Sequence, residues 1–84
     1  MYRVEIKRSA SKELEHLPAD ILERAVVAIQ LLATNPRPAG AKKLRGSVDR
    51  WRIRVRDYRI LYRINDEMKN VCVYRALHRK DVYR

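Results

Sequence analysis

The chain changes its hydrophobic period about halfway along its length. Residues 2–7 alternate apolar and polar side chains, which is the two-residue period of a half-buried strand. Between residues 10 and 34 the apolar positions recur every three or four residues, as in amphipathic helices. The two-residue period returns in residues 51–77. The pattern therefore predicts a strand, two helices and a set of strands.

The boundaries of the helices follow from capping and breaking residues. We expect Ser9 or Ser11 to cap a short first helix that Pro18 ends. The second helix is expected over residues 19–34, with an apolar stripe suited to packing on a sheet. That stripe consists of Ile21, Leu22, Ala25, Val26, Ile29 and Leu32. Residues 35–48 hold prolines and glycines and are predicted to be a loop.

Three β-rich runs complete the prediction, at residues 51–56, 58–64 and 71–77. The first two are expected to form an antiparallel hairpin, and the third to lie beside it. The predicted class is α+β in the order β-α-α-β-β-β, with two helices on one face of a small antiparallel sheet. Because 84 residues bury too little surface for two cores, we expect one domain over residues 1–84.

The charge balance narrows the choice of partner. The chain has 20 Lys and Arg against 10 Asp and Glu, a net charge of +10. Such an excess favours a polyanion, above all nucleic acid, and an acidic protein would also fit. Cys72 is the one cysteine, and the N-terminus lacks an apolar stretch, so we expect a cytoplasmic protein without a disulfide and without a membrane partner.

Arginines occupy alternate positions in the first run of the second half. Since side chains alternate across a strand, they should share one face, opposite the apolar residues of the same strand. The arginines are Arg52, Arg54 and Arg56, and the apolar residues are Trp51, Ile53 and Val55. This face predicts either a phosphate track or a solvated surface that only aids solubility. Arg59 lies across the expected turn and Lys80 near the chain end, which favours the first reading.

The C-terminal residues combine several chemistries that suit RNA. Histidine titrates near neutrality, arginine can hold a phosphate with two hydrogen bonds, and tyrosine can stack on an unpaired base. His78, Arg79 and Tyr83 provide these groups. The alternatives are that His78 is a surface residue after the last strand and that Tyr83 anchors the tail to the sheet.

Other chemistries lack their residues in this sequence. There is no Cys/His spacing for zinc, no glycine-rich phosphate loop and no nucleophile with a plausible base. The carboxylates are scattered, so magnesium chemistry is not expected, and no cofactor is predicted. Metal-independent RNA cleavage remains, in which the ribose 2′-OH attacks its own phosphodiester and cations stabilise the added charge.

Four segments in order resemble the RelE/ParE toxin superfamily of type II toxin–antitoxin systems. They are residues 43–46 (KLRG), 51–56 (WRIRVR), 57–62 (DYRILY) and 78–83 (HRKDVY). The resemblance implies a RelE-like fold and a ribosome-dependent endoribonuclease that cuts mRNA in the ribosomal A site, next to 16S rRNA. It also implies a monomeric free toxin that an acidic cognate antitoxin protein holds inactive.

The RelE pattern carries over residue by residue. It assigns catalysis to Arg52, Arg54, Arg59, Arg79 and Tyr83. We add His78 as a candidate acid or base, and Lys43, Arg45, Arg56 and Lys80 as nucleic-acid-binding residues. RelE-type enzymes often have lysines where this chain has Arg52 and Arg54, and arginine does not lose its proton in proteins. Either His78 or Tyr83 then moves part of the protons, or cleavage rests on orientation and charge stabilisation.

The same resemblance leaves a second function open. ParE-type toxins share the fold and poison DNA gyrase without cutting RNA. They commonly lack the full set of RelE residues, so the set found here favours the nuclease. A degenerate toxin or a nucleic-acid-binding module without activity would fit the same composition.

Overall fold

The sheet draws strands from both ends of the chain. A computed structural model describes residues 1–82, and Tyr83 and Arg84 lie outside the described residues. The strands are β1 (Arg3–Ile6), β2 (Lys42–Lys43), β3 (Arg50–Val55), β4 (Tyr58–Asn65) and β5 (Asn70–His78). The helices are α1 (Arg8–Glu15) and α2 (Ala19–Leu31), and a short 3-10 helix (Arg79–Asp81) follows β5. The strand order is β1-β5-β4-β3-β2, which confirms the predicted α+β class.

Two features of the sheet differ from the prediction. β1 runs parallel to β5, with Val4 beside Val71, so the sheet is mixed and not wholly antiparallel. β2 lies inside the segment that was predicted to be a loop, where Lys42 and Lys43 pair with Arg52 and Trp51. A strand of two residues is too short to show a two-residue period, and a pairing between the chain's two ends leaves no local signal.

The structure corrects the predicted cap of α1 and the predicted end of α2, whereas α2 begins at Ala19 as expected. The N-cap of α1 is Lys7, which makes no capping hydrogen bond with its side chain, so the expected serine cap is wrong. The helix starts early because the backbone of Lys7 leaves β1 extended and its carbonyl accepts the Ser11 N–H at 2.8 Å. α2 begins after Pro18, whose fixed φ suits a helix start, and its regular part ends at Leu31.

The helices pack against one face of the sheet and form a single apolar core with it. From the helices and the residues just after each of them, the core takes Ala10, Leu14, Leu17, Ile21, Ala25, Ile29 and Leu32. From the sheet it takes Ile53, Val55, Ile60, Tyr62, Ile64, Val71, Val73 and Ala76. Within residues 1–82, no helix is long and apolar enough to cross a membrane.

Tyr62 ties the loop after α2 to the middle of this core. Its side chain is fully buried, and its hydroxyl donates a 2.7 Å hydrogen bond to the carbonyl oxygen of Pro36. Burial raises the pKa of the Tyr62 hydroxyl to about 12, so it remains a donor at physiological pH. The bond fixes the start of the segment that leads to β2.

Candidate nucleic-acid interface

Arginines line the surface of the sheet opposite the helices, which we call the open face. Ile53 and Ile60 are partners in the β3–β4 pairing and point into the core, so the neighbouring partner pairs point to the open face. Those pairs are Arg50 with Arg63, Arg52 with Leu61, and Arg54 with Arg59. The division of β3 into an apolar and a basic face follows the predicted alternation.

Arg54 and Arg59 lie next to the turn of the β3–β4 hairpin. The turn has two residues, so Val55 and Tyr58 close it as a hydrogen-bonded pair, and Arg54 and Arg59 form the next, non-hydrogen-bonded pair. In such pairs the Cα atoms are about 4.5 Å apart and the side chains are close. Two cationic side chains are therefore held side by side.

Arg59 is buried although it lies outside the apolar core. Its exposed fraction is 7%, and it lies between Arg54 on β3 and Leu77 on β5. One guanidinium nitrogen, Nη1, donates to the carbonyl oxygen of Tyr58 at 3.3 Å. A guanidinium fixed in this way loses little conformational entropy when it binds an anion.

One nitrogen of the Arg52 guanidinium lacks a hydrogen-bond acceptor in the described part of the chain. Its Nη1 atom is buried and makes no hydrogen bond to any residue of the described chain. Among residues 1–82, neither Arg52 nor Arg54 takes part in an ion pair. A buried donor without an acceptor is costly, and a bound phosphate oxygen would remove that cost.

The start of the 3-10 helix brings Arg79 to the same end of the hairpin. The Arg79 backbone N–H donates to the carbonyl oxygen of Asp57 at 2.7 Å, which extends the β4–β5 pairing by one residue. Its guanidinium Nε is 3.9 Å from Asp57 Oδ1 and the side chain is 59% exposed. Arg79 therefore lies at the turn end of the strands that carry Arg54 and Arg59. We call Arg52, Arg54, Arg59 and Arg79 the arginine cluster.

His78 does not join the arginine cluster. It pairs with Tyr58, and the two rings meet edge to face with centroids 5.2 Å apart, on the helix side of the sheet. Its Nδ1 atom accepts the Lys80 backbone N–H at 3.2 Å. The surroundings of His78 include Lys12 of α1 and His16, the C-cap residue of that helix. The strand period explains this outcome, because His78 follows Leu77, which is on the open face.

One of the four predicted nucleic-acid-binding residues, Lys43, lies in a strand, but it is not on the open face. Lys43 pairs with Trp51 and so belongs to the helix side, whereas Lys42 lies opposite Arg52 on the open face. Sequence reasoning missed Lys42 because its strand was not predicted. Trp51 packs against the core as expected, with the Arg37 guanidinium 5.3 Å from its ring centroid.

Three further predicted residues are solvent-exposed and lie outside the strands. Arg56 is in the hairpin turn with φ 57, so it does not continue the alternation of Arg52 and Arg54. Arg45 lies in the loop between β2 and β3, and Lys80 in the 3-10 helix. Tyr83, predicted to be catalytic, lies outside the described residues.

Sequence reasoning also missed two arginines farther along the open face. Arg50 continues the alternation of Arg52, and Arg63 continues that of Arg59 through Leu61. The two-residue alternation of strand side chains is enough to place both arginines on the open face. Arg50 lies just before the predicted strand of residues 51–56, and Arg63 lies toward the end of β4 that is away from the turn.

The sequence matches a family of known proteins over almost its whole length. Residues 4–83 match the family described as the ParE toxin of the type II toxin–antitoxin system parDE. Toxin RelG of Mycobacterium tuberculosis is 36% identical over 84 residues, which cover 99% of this chain and 97% of that protein.

Two solved complexes share the fold. In the archaeal RelE–RelB complex from Pyrococcus horikoshii, the matched chain is 29% identical with a TM-score of 0.84, over 96% of this chain and 98% of that one. In the intact RelBE toxin–antitoxin complex of Escherichia coli, the matched chain is 28% identical with a TM-score of 0.80, over 93% and 96%.

Proposed function

Since the chain belongs to the RelE/ParE superfamily of type II toxins, we propose that it is a RelE-type endoribonuclease that cuts mRNA in the ribosomal A site. The observation that carries the proposal is the arginine cluster, in which buried Arg59 lies opposite Arg54. The cluster concentrates positive charge where a phosphodiester could lie. In the cell, such an enzyme would work in the cytoplasm, beside 16S rRNA.

The proposed reaction is transfer within the RNA and needs no metal ion. The 2′-hydroxyl loses its proton to water as its oxygen attacks the adjacent phosphorus. The bond to the 5′-oxygen breaks and that oxygen takes a proton from water, so a 2′,3′-cyclic phosphate and a 5′-hydroxyl result. Negative charge grows on the non-bridging oxygens as the attack proceeds. Arg59 and Arg79 would stabilise that charge, while Arg52 and Arg54 hold the phosphates in line.

Proton transfer is the part of the reaction for which the arginine cluster has no group. Arginine stays protonated in proteins, and His78 faces Tyr58 on the other side of the sheet. We propose that orientation and charge stabilisation supply most of the rate. Tyr83 is kept as the residue that stacks on a base or orients the phosphate region.

A gyrase poison is the second candidate, because the family that matches the chain is described as the ParE toxin family. The two functions separate in a simple pair of assays. Primer extension on a translated mRNA after induction of the toxin is expected to show new 5′ ends within codons. Gyrase supercoiling with the purified toxin is expected to be unaffected. Inhibited supercoiling together with intact mRNA would replace the nuclease with the poison.

The proposed protein partner is an acidic antitoxin of the RelB type. In the two related complexes described above, RelE is bound to RelB. Here α2 exposes apolar side chains to solvent, with Val27 52% and Leu31 59% exposed. We propose that an antitoxin segment covers this apolar surface while its acidic residues neutralise the net charge of +10. Its affinity should then fall as salt rises, and a salt-independent affinity would contradict the electrostatic part.

A further inference from the structure

A second basic and aromatic site lies on the open face beyond the arginine cluster. The guanidinium carbons of Arg50 and Arg63 are each 5.5 Å from the centroid of the Tyr74 ring. Arg50 and Arg63 are partners across β3 and β4. We call Tyr74, Arg50 and Arg63 the Tyr74 platform.

An irregularity in β5 creates the platform. Leu61 pairs with Arg75 and the next residue, Tyr62, pairs with Val73, so Tyr74 is an extra residue without a partner on β4. Such bulges bend a strand and redirect a side chain. Val73 stays buried in the core, while the Tyr74 ring lies with Arg50 and Arg63 on the open face.

The platform carries two positive charges at the surface of the protein. Both arginines are exposed, and in the described part of the chain neither forms an ion pair with a carboxylate. Burial raises the pKa of the Tyr74 hydroxyl, an effect that Arg50 and Arg63 oppose. The phenol is therefore uncharged near neutral pH and does not repel a phosphate.

The position of the platform relates it to the arginine cluster. Arg50 and Arg54 lie on the same face of β3, four residues apart, a separation of about 13 Å at the usual rise of a strand. Arg52 lies between them on that face. One single-stranded segment could contact both sites along a continuous row of guanidinium groups.

We propose that the Tyr74 platform binds a nucleotide of single-stranded RNA outside the cleaved position, with its base stacked on Tyr74 and its phosphates held by Arg50 and Arg63. The inference rests on the proposed nuclease function for the role of that nucleotide, which is to fix the RNA relative to the arginine cluster. Stacking on a tyrosine ring accepts any base, so the platform adds affinity without sequence preference.

The test compares an RNA with bases to one without them. Fluorescence anisotropy measures binding of a labelled hexa-adenylate and of an abasic hexamer with the same backbone. Tyr74→Leu keeps an apolar side chain but removes the ring, and should weaken hexa-adenylate binding by about 5- to 150-fold. The same variant should bind the abasic hexamer like wild type. Tyr74→Phe keeps the ring and should bind hexa-adenylate within about twofold of wild type.

The arginines are tested with the same two probes. Arg50→Ala and Arg63→Ala should weaken binding of both hexamers, and each should lower the slope of log affinity against log salt concentration by about 0.7, the value for one phosphate of a single strand. Arg24→Ala, on α2, removes an equal charge on the other side of the protein and is the matched control. Circular dichroism establishes that each variant is folded. If Tyr74→Leu is unstable, Tyr74→Met gives the same comparison.

Each result decides between the two ideas. Hexa-adenylate binding by Tyr74→Leu equal to that of wild type would overturn the platform. A hexaglutamate peptide is the third probe. If Tyr74→Leu weakened binding of this peptide and left hexa-adenylate binding unchanged, the site would bind an acidic protein and the platform proposal would be wrong. If Tyr74→Leu weakens hexa-adenylate binding but the wild-type toxin leaves ribosome-bound mRNA intact, the nuclease proposal alone is wrong. Cleavage by wild type without ring-dependent binding would overturn the platform alone.

Discussion

Arg59 lies directly opposite Arg54 across the β3–β4 hairpin, so the sheet holds two like charges side by side on its open face. Like charges in this position lower the stability of a sheet. A protein of 84 residues has a small free energy of unfolding, so a destabilising pair of charges needs a reason. Binding of an anion by both arginines would provide that reason.

Removing one of these charges should raise the free energy of unfolding and lower the cleavage activity. Threonine favours strands and is neutral, so Arg54→Thr is expected to raise the free energy of unfolding by about 0.2–1 kcal/mol. Urea unfolding measures the change, and cleavage on the ribosome should fall in the same variant. Because salt screens the repulsion, the gain should shrink at high ionic strength. A destabilised Arg54→Thr would show that the two charges do not repel.

Glu13 of α1 closes the part of the β5 edge that β1 leaves unpaired. Its carboxylate accepts the Ala76 backbone N–H at 2.9 Å and is held by Arg75, whose Nη2 atom is 3.0 Å away. Glu13→Gln weakens these charge-assisted bonds, and the partly exposed Arg75 moderates the loss, so we expect about 1–2 kcal/mol of destabilisation. Glu15→Gln on the same helix is the control and should change the unfolding free energy by less than about 0.5 kcal/mol. Equal effects of the two variants in urea unfolding would contradict this role.

Asp66 makes the stability of the folded protein depend on pH in the acid range. Hydrogen bonds from Arg37 and then from Tyr2 lower the pKa of the Asp66 carboxyl from its ordinary value of 3.8 to about 2. The contribution of Asp66 to stability is complete above pH 4 and is lost as the pH falls from about 4 to about 2, because the unfolded chain takes up the proton first.

The Asp66→Asn variant should lack this part of the acid dependence. Its urea midpoint is expected to fall less steeply than that of wild type between pH 4 and pH 2. Glu67→Gln changes the adjacent, exposed carboxylate and should keep the wild-type slope. Parallel curves for wild type and Asp66→Asn would show that the Asp66 hydrogen bonds do not contribute.

The orientation of His78 predicts that it is not the general base. Its ring meets Tyr58 on the helix side and its Nδ1 atom caps the 3-10 helix. His78→Gln is therefore expected to keep the cleavage rate within about tenfold and the pH–rate profile of wild type, since Gln can still accept the Lys80 N–H. A large loss of rate with a flattened profile would return His78 to the chemistry.

The regular parts of this fold could be predicted because they repeat a period. The strand alternation of Ile53 and Arg54 is a local pattern that occurs in the structure. The stripe of α2 is also local and most of it packs on the core, but Val26 of that stripe is 40% exposed. The parallel pairing of β1 with β5 is set by packing of the two chain ends, which no local pattern records. The N-cap at Lys7 follows from the exit of β1 and not from a capping side chain.

The candidate site was predictable to the same extent. Alternation placed Arg52 and Arg54 on one face, and the predicted hairpin placed Arg59 across the turn, where the structure pairs it with Arg54. The burial of Arg59 was not predicted, because it depends on what surrounds the residue in space. Tyr74 is the extra residue of β5, and its position on the open face has no signature in the sequence of β5, since the irregularity is defined by the pairing with β4.

Single-turnover cleavage of mRNA on programmed ribosomes tests the central claim most directly. The variants are Arg79→Ala, which removes an exposed cation, and Arg59→Met, which keeps the buried volume without the charge. With Arg24→Ala as the control, both are expected to fold and to cleave more slowly by about 100-fold or more, as when a preorganised charge-stabilising donor is lost. Wild-type cleavage rates in folded Arg79→Ala and Arg59→Met would contradict the account.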